Sequence, residues 1–207
     1  MTRLILIRHG QTDYNLQNRY CGFSNPPLNN QGIKQSKRLT ARVKDIKIDK
    51  VYSSDLKRAY QTAEIIFKNN PIEKVADFRE VDFGLFEGLK YGELTKIYPK
   101  LYRDWINNPI EVKIPNGECL KDLNKRVKKR LSSILSQHEN KTLALVTHSG
   151  PIRIILYSAL NSDLKMFWQI EPKTAALNII DYPEESSPIV VDMNGVSRLS
   201  NQGATIL

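Results

Sequence analysis

Leu4-Ile5-Leu6-Ile7-Arg8-His9-Gly10 is a short apolar run that stops abruptly at a cation, an imidazole and a glycine. A run this short and this rich in β-branched residues suits a strand buried on both faces, as in the parallel sheets of α/β proteins. In open α/β sheets ligands bind beyond the carboxyl ends of the strands, and glycine lets the backbone turn sharply and approach a ligand closely. Chemistry is therefore expected at Arg8-His9-Gly10. Leu143-Ala144-Leu145-Val146-Thr147-His148-Ser149-Gly150 repeats the same grammar. If the two strands are parallel neighbours, their terminal histidines meet at one sheet edge.

Working outward, 11–30 is polar and turn-rich, with Gly22, Pro26 and Pro27, and reads as a long functional loop. A helical pattern over 31–46 precedes a short second strand at 49–52. Ser53-Ser54-Asp55 then offers N-cap chemistry for a helix over 56–69. A third strand is expected at 73–78. Helical pieces at 91–98 and 101–107, broken by Pro99, Pro109 and Pro115, are too short for a core of their own and read as a cap on the sheet edge. Leu120, Leu123, Val127, Leu131, Ile134 and Leu135 form a clean helical stripe over 118–138. A helix at 151–160 follows, and strands at 175–181 and 189–193 complete the sheet. The alternation predicts an α/β protein: a three-layer α/β/α sandwich with a mostly parallel central sheet, one domain over 1–207, and a small helical cap inserted at 84–115.

At 207 residues and 41% apolar composition the chain is long enough for one sizeable core and short for two. No apolar run approaches the roughly 20 residues that cross a bilayer. The four apolar residues before Arg8 are also too few for a signal-peptide core, so a cytoplasmic location without membrane association is expected. Cys21 and Cys119 lack CxxC spacing, which excludes a disulfide scaffold and a four-cysteine zinc site and leaves two free thiols. The net charge of +9 invites a nucleic-acid partner, but most of the charge falls on helices whose other face is apolar. A solvated surface is the better reading, and the basic balance would steer small anionic substrates. Nothing in the sequence sets the oligomeric state, and a homodimer is compatible with it.

Of the three histidines, His138 is explained by its place near the end of a long helix. His9 and His148 stand apart because each follows an apolar strand and precedes a glycine. With Arg8 beside His9 and Arg58 on the helix after the second strand, several donors could converge on one anion, and the inferred target is a phosphoryl group.

Arg8-His9-Gly10-Gln11-Thr12 with Asn15 resembles the signature of the histidine phosphatase superfamily, the group that contains the cofactor-dependent phosphoglycerate mutases. The resemblance continues, in order, through Asn18 to Gly22, Leu28 with Gly32, Ser53 to Ala59 with Thr62-Ala63, Glu80 to Gly88, Pro115 with Gly117-Glu118, and Val146 to Gly150. It implies that His9 is a nucleophile forming a phosphohistidine, that Arg8, Arg58 and His148 surround the transferring group, and that Glu80 is the general acid and then the base. It also assigns Asn15 and the backbone amides near Cys21 and Gly22 to phosphate binding. Gln11, Ser149 and Gly150, beside the two histidines, join that candidate set. Glu87 is the rival to Glu80: position in the motif favours Glu80, but the sequence alone does not say which carboxylate faces the pocket.

Neither a metal nor a cofactor is implied, since arginines around the two histidines would repel a cation. The chain departs from the mutases in three ways. Arg103 is the only arginine between Gly88 and Pro115, Phe83 replaces a tyrosine, and Gln11 replaces a serine. These departures favour hydrolysis of a small phosphorylated metabolite. The 83–88 and 114–119 blocks look like the α-ribazole phosphatase branch, making α-ribazole 5′-phosphate, with a base for Tyr91, Tyr98, Tyr102 or Trp105 to stack, the expected substrate. The alternatives are a broad-specificity sugar or acid phosphatase, a fructose-bisphosphatase-like role, a phosphoglycerate mutase and a non-catalytic phosphate-binding module.

Overall fold

The structure, a computed structural model, describes residues 1–195; positions 196–207, the end of the expected domain, lie outside the described residues. Six strands form one sheet: β1 (Thr2–Arg8), β2 (Lys50–Ser53), β3 (Ile72–Lys74), β4 (Thr142–Thr147), β5 (Leu177–Tyr182) and β6 (Ile189–Asp192), in the order β3-β2-β4-β1-β5-β6. Only β5 runs against the rest: β1 pairs with β4, and β2 with β4 and β3, in parallel, while β5 is antiparallel to both β1 and β6. The helices are α1 (Asp13–Leu16), α2 (Asn30–Val43), α3 (Lys57–Ile66), α4 (Tyr91–Ile97), α5 (Pro99–Asn107), α6 (Leu120–Gln137) and α7 (Ser149–Ala159). None among the described residues is long and apolar enough to cross a membrane.

The unbroken apolar run of β1 follows from its position at the centre of the sheet. Side chains alternate between faces, so both faces of a doubly covered strand must be apolar. Leu4 and Leu6 join Leu143 and Leu145 of β4 on the face covered by α6 and α7. Ile5 and Ile7 join Ala144 and Val146 on the opposite face, under α2 and α3. The α6 stripe Leu120, Leu123, Val127, Leu131 and Ile134 is buried as its spacing predicts. The result is the α/β/α sandwich expected from the element order.

Several details differ from expectation. The third strand ends at Lys74, and Ala76–Phe78 is a 3₁₀ turn that drives the fully buried Phe78 into the core. The loop 11–30 contains α1, whose first turn is closed by a capping box between Thr12 and Asn15. Pro99 opens α5 instead of separating it from what precedes, because proline's fixed φ and missing N–H suit the first helical position. Likewise α7 begins at Ser149, with Pro151 inside its first turn. The 84–115 segment does have a small core of its own: Phe86, Leu94, Tyr102, Trp105 and Ile114 are buried together. Aromatic rings bury so much area each that a few suffice. Phe83 packs against both this cluster and the sheet-side core.

Candidate active site

Parallel pairing in register brings Arg8 opposite Thr147, so His9 and His148 leave adjacent strands side by side. Their rings lie 5.1 Å apart, tilted by 58°. Both are buried. The His9 N–H bonds Thr147 O at 3.0 Å, tying the chain just past β1 to the end of β4.

His9 Nδ1 lies 2.7 Å from Gly10 O. A carbonyl only accepts, so Nδ1 carries the hydrogen and Nε2 keeps its lone pair. Burial holds the His9 imidazole well below its usual pKa, and the nearby Arg58 and Arg8 cations push it the same way. His148 is held well below its usual value as well, first by burial, then by Arg58, His9 and Arg8. Both rings are neutral at pH 7.

His148 Nε2 lies 2.8 Å from Ser54 Oγ, which also accepts the Leu56 N–H at 3.3 Å; one tautomer has the Ser54 hydroxyl donating to the ring. In that tautomer Nδ1 carries the His148 hydrogen. Nδ1 is buried and unpartnered, and so are Arg8 Nε and Arg58 Nε. Buried donors without acceptors are rare, and several on neighbouring side chains describe an anion site.

Other guanidinium donors have protein partners. Arg58, fully buried on α3, donates from Nη1 to Ser24 O at 2.7 Å and from Nη2 to Gly22 O at 2.8 Å and Cys21 O at 3.3 Å. Arg8 Nη1 donates to Pro172 O at 2.7 Å. Burial lowers the pKa of both.

The two candidate carboxylates separate clearly. Glu87 accepts the N–H groups of Gly22, Phe23 and Ser24 at 2.9, 2.8 and 3.2 Å, which makes it the support of the 22–24 loop. Glu80 is buried at the N-terminus of α7, where its Oε1 accepts the Gly150 and Val81 N–H groups at 2.9 Å each. A Cβ at position 150 would stand 2.2 Å from Glu80 Oε1, so a side chain there would push the carboxyl group aside.

Several other candidates have protein partners of their own. The Gly22 and Gly150 amides serve Glu87 and Glu80 rather than standing open for phosphate. Cys21 contributes its carbonyl to Arg58, while burial pushes its thiol up to about 11. Asn15 Oδ1 is engaged by the Thr12 N–H and hydroxyl, at 3.0 Å each, in the α1 cap. Gln11 Oε1 accepts Asn29 Nδ2 at 3.1 Å, at the start of α2. Ser149 is buried as the first residue of α7. His138 is not in the site; its Nε2 lies 2.7 Å from the Tyr52 hydroxyl.

Among the described residues no group of three His, Cys, Asp or Glu side chains is placed to hold a metal ion. Both cysteines are free.

Arg153 carries no motif yet stands at the rim. Its Nε donates to Ile170 O at 2.6 Å, its guanidinium lies 5.2 and 5.1 Å from the Phe167 and Trp168 rings, and its charge acts on Arg8. The signal was available in its spacing of three residues from Gly150, which places both on one helix face. Three of the cap aromatics are engaged in packing: Trp105 sits against Tyr20, Phe83, Phe86 and Trp168, while Tyr102 and Tyr98 pack on Phe86; Tyr91 meets Tyr102 edge-on but is exposed.

Residues 4–194 match the model of the histidine phosphatase superfamily (branch 1). Phosphoserine phosphatase 1 of Hydrogenobacter thermophilus is 33% identical over 196 residues, covering 94% of this chain and 92% of that protein. The uncharacterized phosphatase PhoE of Bacillus subtilis is 35% identical over 203 residues, covering 97% and 98%. The α-ribazole phosphatase of Shigella flexneri superposes with a TM-score of 0.87 at 25% identity, covering 95% of this chain and 96% of that one.

Proposed function

The chain belongs to the histidine phosphatase superfamily, and on that premise we propose that it hydrolyses small phosphomonoesters through a phosphohistidine on His9, without a metal. The observation that carries this is the His9 tautomer: Nδ1–H is committed to Gly10 O, so Nε2 is a neutral nucleophile inside a cationic pocket.

The substrate phosphoryl group lies among Arg8, Arg58 and His148, whose unpartnered donors meet its oxygens. His9 Nε2 attacks phosphorus, the ester P–O bond breaks, and Glu80 in its acid form protonates the departing alkoxide. Glu80 Oε1 takes two N–H donors, which leaves Oε2, with only a 3.2 Å contact to the Gly150 N–H, to carry that proton. The resulting carboxylate takes a proton from water as the water attacks the phosphohistidine, releasing inorganic phosphate and restoring His9 and the Glu80 acid.

Hydrolysis is favoured over the mutase alternative because Arg103, the only arginine between Gly88 and Pro115, is exposed on α5, and Phe83 is packed against Tyr20 and Trp105. For the substrate, α-ribazole 5′-phosphate is supported by the likeness to the Shigella enzyme and phosphoserine by the Hydrogenobacter relative. Burial of Tyr102 and Trp105 in the cap core takes those two rings out of the stacking argument for the first, and leaves Tyr91, 64% exposed.

Phosphate release is to be measured on α-ribazole 5′-phosphate, L-phosphoserine, 3-phosphoglycerate, fructose bisphosphate and a chromogenic aryl phosphate, for wild type and His9→Ala. Wild type is expected to release phosphate from at least one and to yield an acid-labile phosphoenzyme on rapid quench; His9→Ala is expected to do neither. Turnover that survives His9→Ala overturns the nucleophile, and isomerisation of 3-phosphoglycerate without release restores the mutase.

A further inference from the structure

Arg126 and Glu118 lie outside the phosphate pocket, yet they hold the chain that carries Glu80. From α6, Arg126 Nη1 donates to Asp77 O at 2.7 Å and Arg79 O at 2.8 Å, and Nη2 donates to Glu80 O at 2.7 Å. Its Nε donates to Glu118 Oε2 at 3.0 Å, and Nη2 also meets Glu118 Oε1. Glu118 in turn accepts the Asp82 N–H on Oε1 and donates its own N–H to Asp82 O, both at 3.0 Å.

This clamp has a physical reason. The segment leaves the 3₁₀ turn Ala76–Phe78 and becomes extended at Arg79, so its carbonyls lack helical or ladder partners. A guanidinium, with five donors in a rigid fork, suits three converging carbonyls and a carboxylate. The pair is largely shielded, at 19% and 12% side-chain exposure, so neither partner is readily replaced by water. Phe23, in the loop that Glu87 supports, has the Arg79 and Arg126 guanidiniums at 5.1 and 6.0 Å from its ring.

We propose that the Arg126–Glu118 pair is a latch that positions Glu80, gripping its main chain on either side while the Gly150 N–H fixes its carboxyl, so that the acid meets the leaving oxygen. The proposal rests on Glu80 being the acid of the reaction above. Arg126 and Glu118 act through Glu80 and are positioning residues. A displacement of about 1 Å at a reacting group is enough to cost on the order of 100-fold in rate.

The leaving group separates this role from a merely structural one. An alkyl phosphate needs a proton on its departing oxygen, whereas 2,4-dinitrophenyl phosphate does not. Because kcat/KM reports steps up to phosphoryl transfer, the ratio of kcat/KM for the two esters reads the acid alone. Glu80→Gln sets the scale, with an expected fall in the alkyl-to-aryl ratio of about 100-fold. Arg126→Lys and Glu118→Gln are each expected to lower that ratio at least tenfold. Equal loss on both esters, or no loss, in either variant overturns the latch. If Arg126→Lys does not fold, the isosteric Glu118→Gln decides by the same criterion. If Glu80→Gln itself loses both esters equally, the acid assignment fails and the latch falls with it, whatever the other variants show.

Discussion

His9 and His148 are buried next to two arginines, and their depressed pKa values set a pH dependence with a definite sign. In the unfolded chain an imidazole takes up a proton near pH 6.5, whereas in the fold it stays neutral to well below that. Between those limits the unfolded state binds more protons, so their contribution to stability is intact above about pH 6.5 and is lost as pH falls below it, at up to about 1.4 kcal/mol per histidine per pH unit. Urea titrations from pH 7.5 to 5 are expected to show that loss, reduced in His148→Gln. The nucleophile should stay competent over the same range, so an acid limb in kcat/KM near pH 6.5 assigned to His9 would contradict its depressed pKa. The histidines were legible because each ends an apolar strand. Motif position favoured Glu80 over Glu87, but which carboxylate faces the pocket was not legible, since both lie in one irregular segment and their partners, the α7 N-terminus for one and the 22–24 loop for the other, come from the fold.

At the scale of elements, β1, β4 and α6 followed directly from pattern, because a doubly buried strand and a one-sided helix each leave an unmistakable period. The cap did not. Its helices are short, Pro99 reads as a break although it starts α5, and its core depends on rings from separated positions meeting in space. Trp105 links that core to the rim, touching Phe86 on one side and Trp168 on the other, at 5.8 and 5.7 Å. Trp105→Ala is expected to cost about 3–5 kcal/mol within the cap. Hydrogen exchange should show protection lost over 86–114 while β1 and β4 remain protected. Uniform loss across the sheet would show that the cap and sheet unfold as one unit.

For the molecule as a whole, a net charge of +9 and the buried arginines of the pocket favour an anionic substrate. Raising salt from about 0.02 to about 0.5 M shortens the Debye length from roughly 20 to 4 Å, so KM is expected to rise several-fold with kcat little changed. EDTA is expected to leave turnover intact; its abolition by EDTA and recovery with zinc would refute the metal-free mechanism. The sequence by itself determined the α/β/α layering and that His9 and His148 each end an apolar strand, because both follow from burial periodicity, a local property; that β1 and β4 are parallel neighbours, and so that the two histidines meet, was decided by the tertiary structure. Tertiary structure alone decided which carboxylate lies at the α7 N-terminus, that Gly22 and Gly150 serve carboxylates, and that Arg126 grips the Glu80 main chain. Those are matters of hydrogen-bond partners drawn from distant positions, and no local pattern encodes a partner 46 residues away.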